Sequence, residues 1–237
     1  MPLRAIRTDT TRPLYRIIGE IAGLWVLVSL GYYVVFPLLG ISIGYNTSPI
    51  IMAMYFTSWA ILCAYILSGL LKHLPTPDTR LRFFLILGLF TVLVIFASSL
   101  LTLLSPLVGP VFSPYTDLLF ANPSFFVAKG TEVLVQQILL AGLVVALARQ
   151  YHTLRSIMIG YFICFGGMHM FLFFFTSAPT YYLLITTGAA LLSTLLFPYL
   201  ITRVRSGIMY TYMLHMSFYF LLALFLQVFP PAGYTFL

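Results

Sequence analysis

Six side chains could do chemistry inside an otherwise apolar chain: Lys129, Glu132, Gln136 and Gln137 in one stretch, His169 in a second and His215 in a third. Glu132 is the only acid well inside any apolar segment. A carboxylate held in a dry site can act as a base. An imidazole beside it could orient a water, and a second could donate to a developing oxyanion. Two histidines and one glutamate could also hold zinc or iron, but their spacing does not resemble HExxH and no fourth ligand stands out. No cofactor is therefore expected. Lys129, Glu132 and Gln136 are spaced i, i+3, i+7 and share one helix face. A bland reading stands beside the catalytic one: Lys129 neutralises Glu132, and the glutamine bonds to another helix. Thr211, His215 and Tyr219 are spaced by four, with Tyr212 beside them, so they form a polar stripe that should face the bundle interior. Phe165 and His169 share a face, and Gly166 and Gly167 allow close approach by a neighbour.

The elements that position these groups must be membrane helices. Of 237 residues, 61% are hydrophobic and 7% charged, with a mean hydropathy of +1.04. A soluble domain carries about 25% charged residues, so this chain could not cover a water-facing surface. No alternating strand pattern occurs, which excludes a barrel. The expected class is all-α: a polytopic integral membrane protein of the plasma or inner membrane, in one bundle domain over 17–237 behind a basic cytoplasmic arm, 1–16. The first apolar run is too long for a signal-peptide core and lacks a small-residue cleavage site. Cys63 and Cys164 lie in apolar runs and are expected to be unpaired packing residues.

Seven spans are predicted, at about 17–43, 49–71, 83–104, 125–148, 156–176, 180–202 and 208–229. Pro37 should kink the first near its far end. Glu20 is expected to pair with Arg16 one turn before it, and Asn46-Thr47-Ser48 matches a glycosylation sequon in a short turn. Residues 105–124 hold four prolines and read as a re-entrant or interfacial loop, with Asn122 and Pro123 starting the next helix. Of the 12 Lys and Arg residues, all but Lys129 fall in the arm, 72–82, 149–155 and 203–207. Basic connections mark the cytoplasmic side. The N-terminus is thus expected inside and the C-terminus outside. The charge of +7 follows from these connections and does not point to nucleic acid. On this topology Glu132 lies about 10 Å below the outer edge of the apolar core, and His169 at a similar level.

The polar stretches resemble the CPBP family of intramembrane proteases, which includes CAAX prenyl endopeptidases, bacteriocin-processing enzymes and Abi proteins. Its pattern is EExxxR, then FxxxH, then HxxxN, on three polar helices. FGGMH, Phe165 to His169, meets the second motif in full. RVRSGIMYTYMLHMSFY resembles the stretch leading into the last histidine, His215. The separations, 37 residues from Glu132 to His169 and 46 more to His215, are in keeping. The resemblance covers about 123–225. The first motif departs from the pattern. Thr131 stands where the first glutamate is expected, and Gln136 for the arginine. A shift by one puts Glu132 first and Gln137 for the arginine. In the last motif Tyr219 replaces asparagine. The resemblance implies a peptidase in which Glu132 is the base, His169 orients the water, and His215 with Tyr219 stabilises the oxyanion.

Two function classes remain open: a CPBP-type intramembrane endopeptidase, intact or catalytically impaired, and a non-catalytic membrane subunit or assembly partner of a larger complex. A carrier of a lipid-like or pigment molecule is a third class. The partners expected are the lipid bilayer and a membrane protein or peptide, as substrate or companion.

Overall fold

The computed structural model describes residues 12–74 except 42 and 46, then 80–108, 123–170 and 180–228. The basic arm up to residue 11, the sequon's Asn46, and most of the proline-rich segment, 109–122, lie outside the described residues. All regular structure among the described residues is helical. The helices are α1 (Leu14–Leu30), α2 (Phe36–Leu38), α3 (Pro49–Ile66), α4 (Ser68–Leu71), α5 (Arg80–Val108), α6 (Pro123–Gln150), α7 (Leu154–Tyr161), α8 (Thr180–Arg203) and α9 (Gly207–Val228). Five stretches are long and apolar enough to cross a membrane: Leu14–Leu38, Pro49–Ile66, Pro123–Gln150, Leu183–Arg203 and Gly207–Phe225. Leu85–Leu100, within α5, is a shorter apolar helix. The predicted span at 156–176 begins as α7, widens into a π-helical turn at Phe162–Gly166, and is helical to residue 170, where the described stretch ends.

Helix α6 is the centre of the bundle. Protein covers 78% of its apolar window, against 39% at most in the other four. It packs against α1, α3, α5, α7, α8 and α9. Membrane helices associate closely where small residues let side chains and backbones approach. Ala141, Gly142, Ala146 and Ala148 supply that surface, and at Gly142 the Leu67 side chain fills the space beside the backbone. The exposed positions of α1, α3, α8 and α9 are large and apolar: Val26, Leu27, Ile61, Leu192 and Leu221 among them. This is the reverse of a soluble protein, and it suits a surface solvated by acyl chains.

Helix ends follow local chemistry. The break in the first span comes one turn earlier than Pro37 alone implies, as a π-helical turn at Gly31–Val35. A proline ring crowds the carbonyl four residues before it, and a widened turn relieves that crowding. The chain then stops in a Schellman motif: Gly40 has φ +69°, its N–H donates to Pro37 O at 3.0 Å, and Ile41 N–H donates to Phe36 O at 2.9 Å. Thr153 caps α7 by accepting from Ser156 N–H at 3.1 Å. Between α8 and α9 the turn passes through Ser206 at φ 59°, and a Cβ at Gly207 would overlap the Leu200 carbonyl. Glu20 pairs with Arg12 at 3.1 Å, not with Arg16 as expected. One helical turn separates Arg16 from Glu20, but the non-helical residue Arg12 has the freer reach.

Candidate functional site

Helix α6 carries two polar faces. At about 100° per residue, Glu132 and Gln137 project roughly 140° apart around its axis. Glu132, Val135, Gln136 and Leu139 line one flank, together with Trp25, Tyr32, Tyr45 and Phe56, around a cavity of about 40 Å³. That is room for about one water molecule. Gly130 and Gln137 lie on the other flank, against α9, where Tyr212 and Met216 close over Gly130.

The Glu132 carboxylate takes three donors. Tyr45 Oη donates to Oε2 at 2.6 Å, Lys129 Nζ lies 2.6 Å from the same oxygen, and Gln136 Nε2 donates to Oε1 at 2.8 Å. Lys129 and Gln136 are within reach because they stand three residues before and four after Glu132 on one helix. Tyr45 comes from the connection between α2 and α3. It is held there by its ring, which packs on Phe56 at 6.2 Å and on Phe125 at 5.6 Å. The sequence reading passed over Tyr45. A tyrosine in the uncharged turn GYNTS between two apolar stretches was the available signal.

Lys129 is buried and joins the two flanks. Its ammonium lies 4.1 Å over the Tyr219 ring and 5.3 Å from the centre of the Tyr45 ring. A cation over an aromatic face away from water is stabilised by about 2 kcal/mol. Tyr219 in turn stacks on His215, with centroids 5.3 Å apart. His215 Nδ1 is 2.9 Å from Gln137 Nε2. His169 sits after the π-helical turn, with its ring 4.5 Å from Phe165 and its Nδ1 3.1 Å from the Phe165 carbonyl. Thr131 donates its hydroxyl to Ala128 O at 2.8 Å, so its side chain is turned back onto its own helix. Thr211 does likewise to Ile208 O at 2.9 Å.

The residues expected at the site thus divide. His169, His215 and Tyr219 line one cavity of about 180 Å³ between α8, α9 and the π-helical turn, with Phe165, Ala190 and Phe197. Glu132, Gln136 and Lys129 form an ion-pair cluster with Tyr45, which Lys129 connects to Tyr219 at the edge of that cavity. The acid and the imidazoles line separate cavities, and Lys129, 2.6 Å from Glu132 and 4.1 Å over the Tyr219 ring, stands between them. Among the described residues, no three His, Cys, Asp or Glu side chains come close enough together to hold a metal. Cys63 is buried and Cys164 half-buried, both as thiols.

No protein-family model, curated protein or solved structure matches the chain.

Proposed function

We propose that this chain is a seven-span membrane protein, N-terminus inside and C-terminus outside, with a CPBP-like bundle that binds rather than cuts. It serves as a non-catalytic subunit or assembly partner of a larger membrane complex. The five long apolar helices, the apolar core of α5 and the irregular helix that begins at Leu154 support seven crossings. The basic residues at 72–82, 149–155 and 203–207 support the orientation.

The observation that carries the reading is the state of Glu132. Both oxygens are engaged by three donors, and Lys129 stands between the carboxylate and the Tyr219 edge of the imidazole cavity. A general base must reach the proton that it removes, directly or through one water. Glu132 is arranged to hold α6 against the α2–α3 connection instead. Thr131, the position where the family pattern has its first glutamate, carries no carboxylate.

The test is affinity capture of the full chain from membranes in mild detergent. The expected result is a stoichiometric membrane-protein companion, released by tryptophan substitutions at exposed α1 and α3 positions such as Leu27 or Ile61. A lone monomer at every detergent concentration would overturn the reading. The peptidase remains the second reading, favoured by the shared cavity of His169, His215 and Tyr219. It requires that Glu132→Gln and His169→Ala each abolish processing of a membrane substrate while the protein still accumulates.

A further inference from the structure

The cavity beside the two imidazoles has a defined hydrogen-bonding polarity. The Phe165 carbonyl can only accept, so His169 Nδ1 carries a proton toward it. The uncharged ring then has a lone pair on Nε2. The Gln137 amide nitrogen can only donate, so His215 Nδ1 accepts and its Nε2 carries the proton. The opposite orientation of the amide would strand two buried N–H donors. The orientation present leaves Gln137 Oε1 and one of its N–H groups without a partner, one stranded donor fewer, and a lone carbonyl oxygen is better tolerated than a lone donor. Among the described residues, neither Nε2 has a hydrogen-bond partner. The cavity's imidazoles therefore offer one acceptor and one donor, beside the hydroxyl residues Thr186, Ser193 and Tyr219 on an otherwise apolar wall.

Size and entrance narrow the ligand. A cavity of about 150 Å³ holds a benzene ring, so about 180 Å³ accepts a head group and a short length of chain, not a folded peptide segment. Its rim includes Leu192, Leu196 and Leu214, which are 59%, 43% and 45% exposed on the outer surface of α8 and α9. In a membrane that surface meets acyl chains. The cavity opens toward lipid, and its ligand comes from there.

We infer that the cavity binds a single-chain lipid alcohol. Its hydroxyl donates to His169 Nε2 and accepts from His215 Nε2–H, and its chain leaves between the leucines. A hydroxyl both donates and accepts, so it suits an acceptor and a donor that line one cavity. A carboxylate would turn a lone pair on the His169 acceptor, and an alkane would leave both nitrogens unpaired. This site is independent of the partner reading above and can fail separately from it.

The test is photolabelling of the full chain in nanodiscs with a dodecanol that carries a mid-chain diazirine, followed by peptide mapping. Labelling should map to α8 and α9 near Leu192 and Leu214. Unlabelled dodecanol in about tenfold excess should reduce it about tenfold by mass action, while dodecane and dodecanoate at the same excess, each lacking one of the two hydrogen bonds, should reduce it far less. Ala189→Phe, which fills the cavity, and His169→Phe, which removes the acceptor, should reduce it by a similar factor; Ile61→Phe on α3 should not. Equal competition by dodecane, stronger competition by dodecanoate, or labelling spread evenly over all lipid-facing helices would overturn the inference. The competition on the unaltered protein needs no variant to fold.

Discussion

Lys129 extends from α6 to set its ammonium 4.1 Å over the ring of Tyr219 on α9, while the same nitrogen lies 2.6 Å from Glu132. One cation therefore ties two flanks of the central helix to two different neighbours. Its partners differ in kind: a carboxylate that needs the charge, and an aromatic face that gains from it.

Removing one member of this set should be far worse than removing the charge altogether. Lys129→Met leaves the partly buried Glu132 carboxylate with two neutral donors and no countercharge, and should cost about 1–3 kcal/mol. The double variant Lys129→Met with Glu132→Gln should recover most of that loss. Thermal unfolding in detergent, followed by fluorescence-detected size exclusion, measures both. Equal losses in the single and the double variant would contradict the ion-pair account.

Tyr45→Phe keeps the ring between Phe56 and Phe125 and removes only the hydroxyl that donates to Glu132. A hydrogen bond to a charged acceptor is worth about 1.5–3 kcal/mol. The same unfolding assay should show a loss in that range, and a smaller loss when Tyr45→Phe is made in a Glu132→Gln background, where the acceptor is neutral.

These two variants also mark what the sequence discloses and what it withholds. The apolar stretches, the basic connections and the pairing of Lys129 with Glu132 are legible because each rests on local spacing. The direction of Glu132 is not. It is set by Tyr45, 87 residues earlier in the chain, and by the rotation of α6 against α1 and α3. The π-helical turn at Phe162–Gly166 is hidden for a similar reason. A single added residue per turn leaves composition and hydropathy unchanged, yet it alters where His169 points relative to Tyr161. The pairing of Glu20 with Arg12 rather than Arg16 depends on a backbone outside the helix.

Gly31 admits the Tyr55 hydroxyl, which donates to the Val28 carbonyl at 2.7 Å. A Cβ there would overlap that hydroxyl. Gly31→Ala should push Tyr55 away and cost about 1–3 kcal/mol as overpacking. Adding Tyr55→Phe should restore part of it, since the clash falls on the oxygen. Midpoints of denaturation for the two variants decide this.

At the α8–α9 turn the expected signs are opposite at adjacent positions. Gly207→Ala drives a Cβ into the Leu200 carbonyl, a backbone atom that cannot swing aside, and should destabilise the hairpin. Ser206→Gly relieves a left-handed conformation that costs a non-glycine residue about 1 kcal/mol, and should raise the unfolding temperature slightly.

His73 follows α4 on the basic side, and its pKa is lowered from the ordinary 6.5 by burial and by the charges of Arg149 and Lys72. The folded protein thus declines a proton that the unfolded chain accepts. Stability should be level above about pH 7 and fall as pH drops through 6.5 toward the lowered value. His73→Asn should flatten that limb of a stability profile measured across this pH window.

The placement of Lys129 and Glu132 three residues apart on one helix has a consequence for synthesis. A segment that enters the bilayer from the translocation channel does so before its later neighbours exist, and each bare charge then costs about 2.5–3.5 kcal/mol. Because both ions belong to α6, they can neutralise one another within that segment alone, with Gln136 one turn away. The helix that the finished bundle encloses most completely is in this way able to partition into lipid unaccompanied, and α7, α8 and α9 can gather around it afterwards.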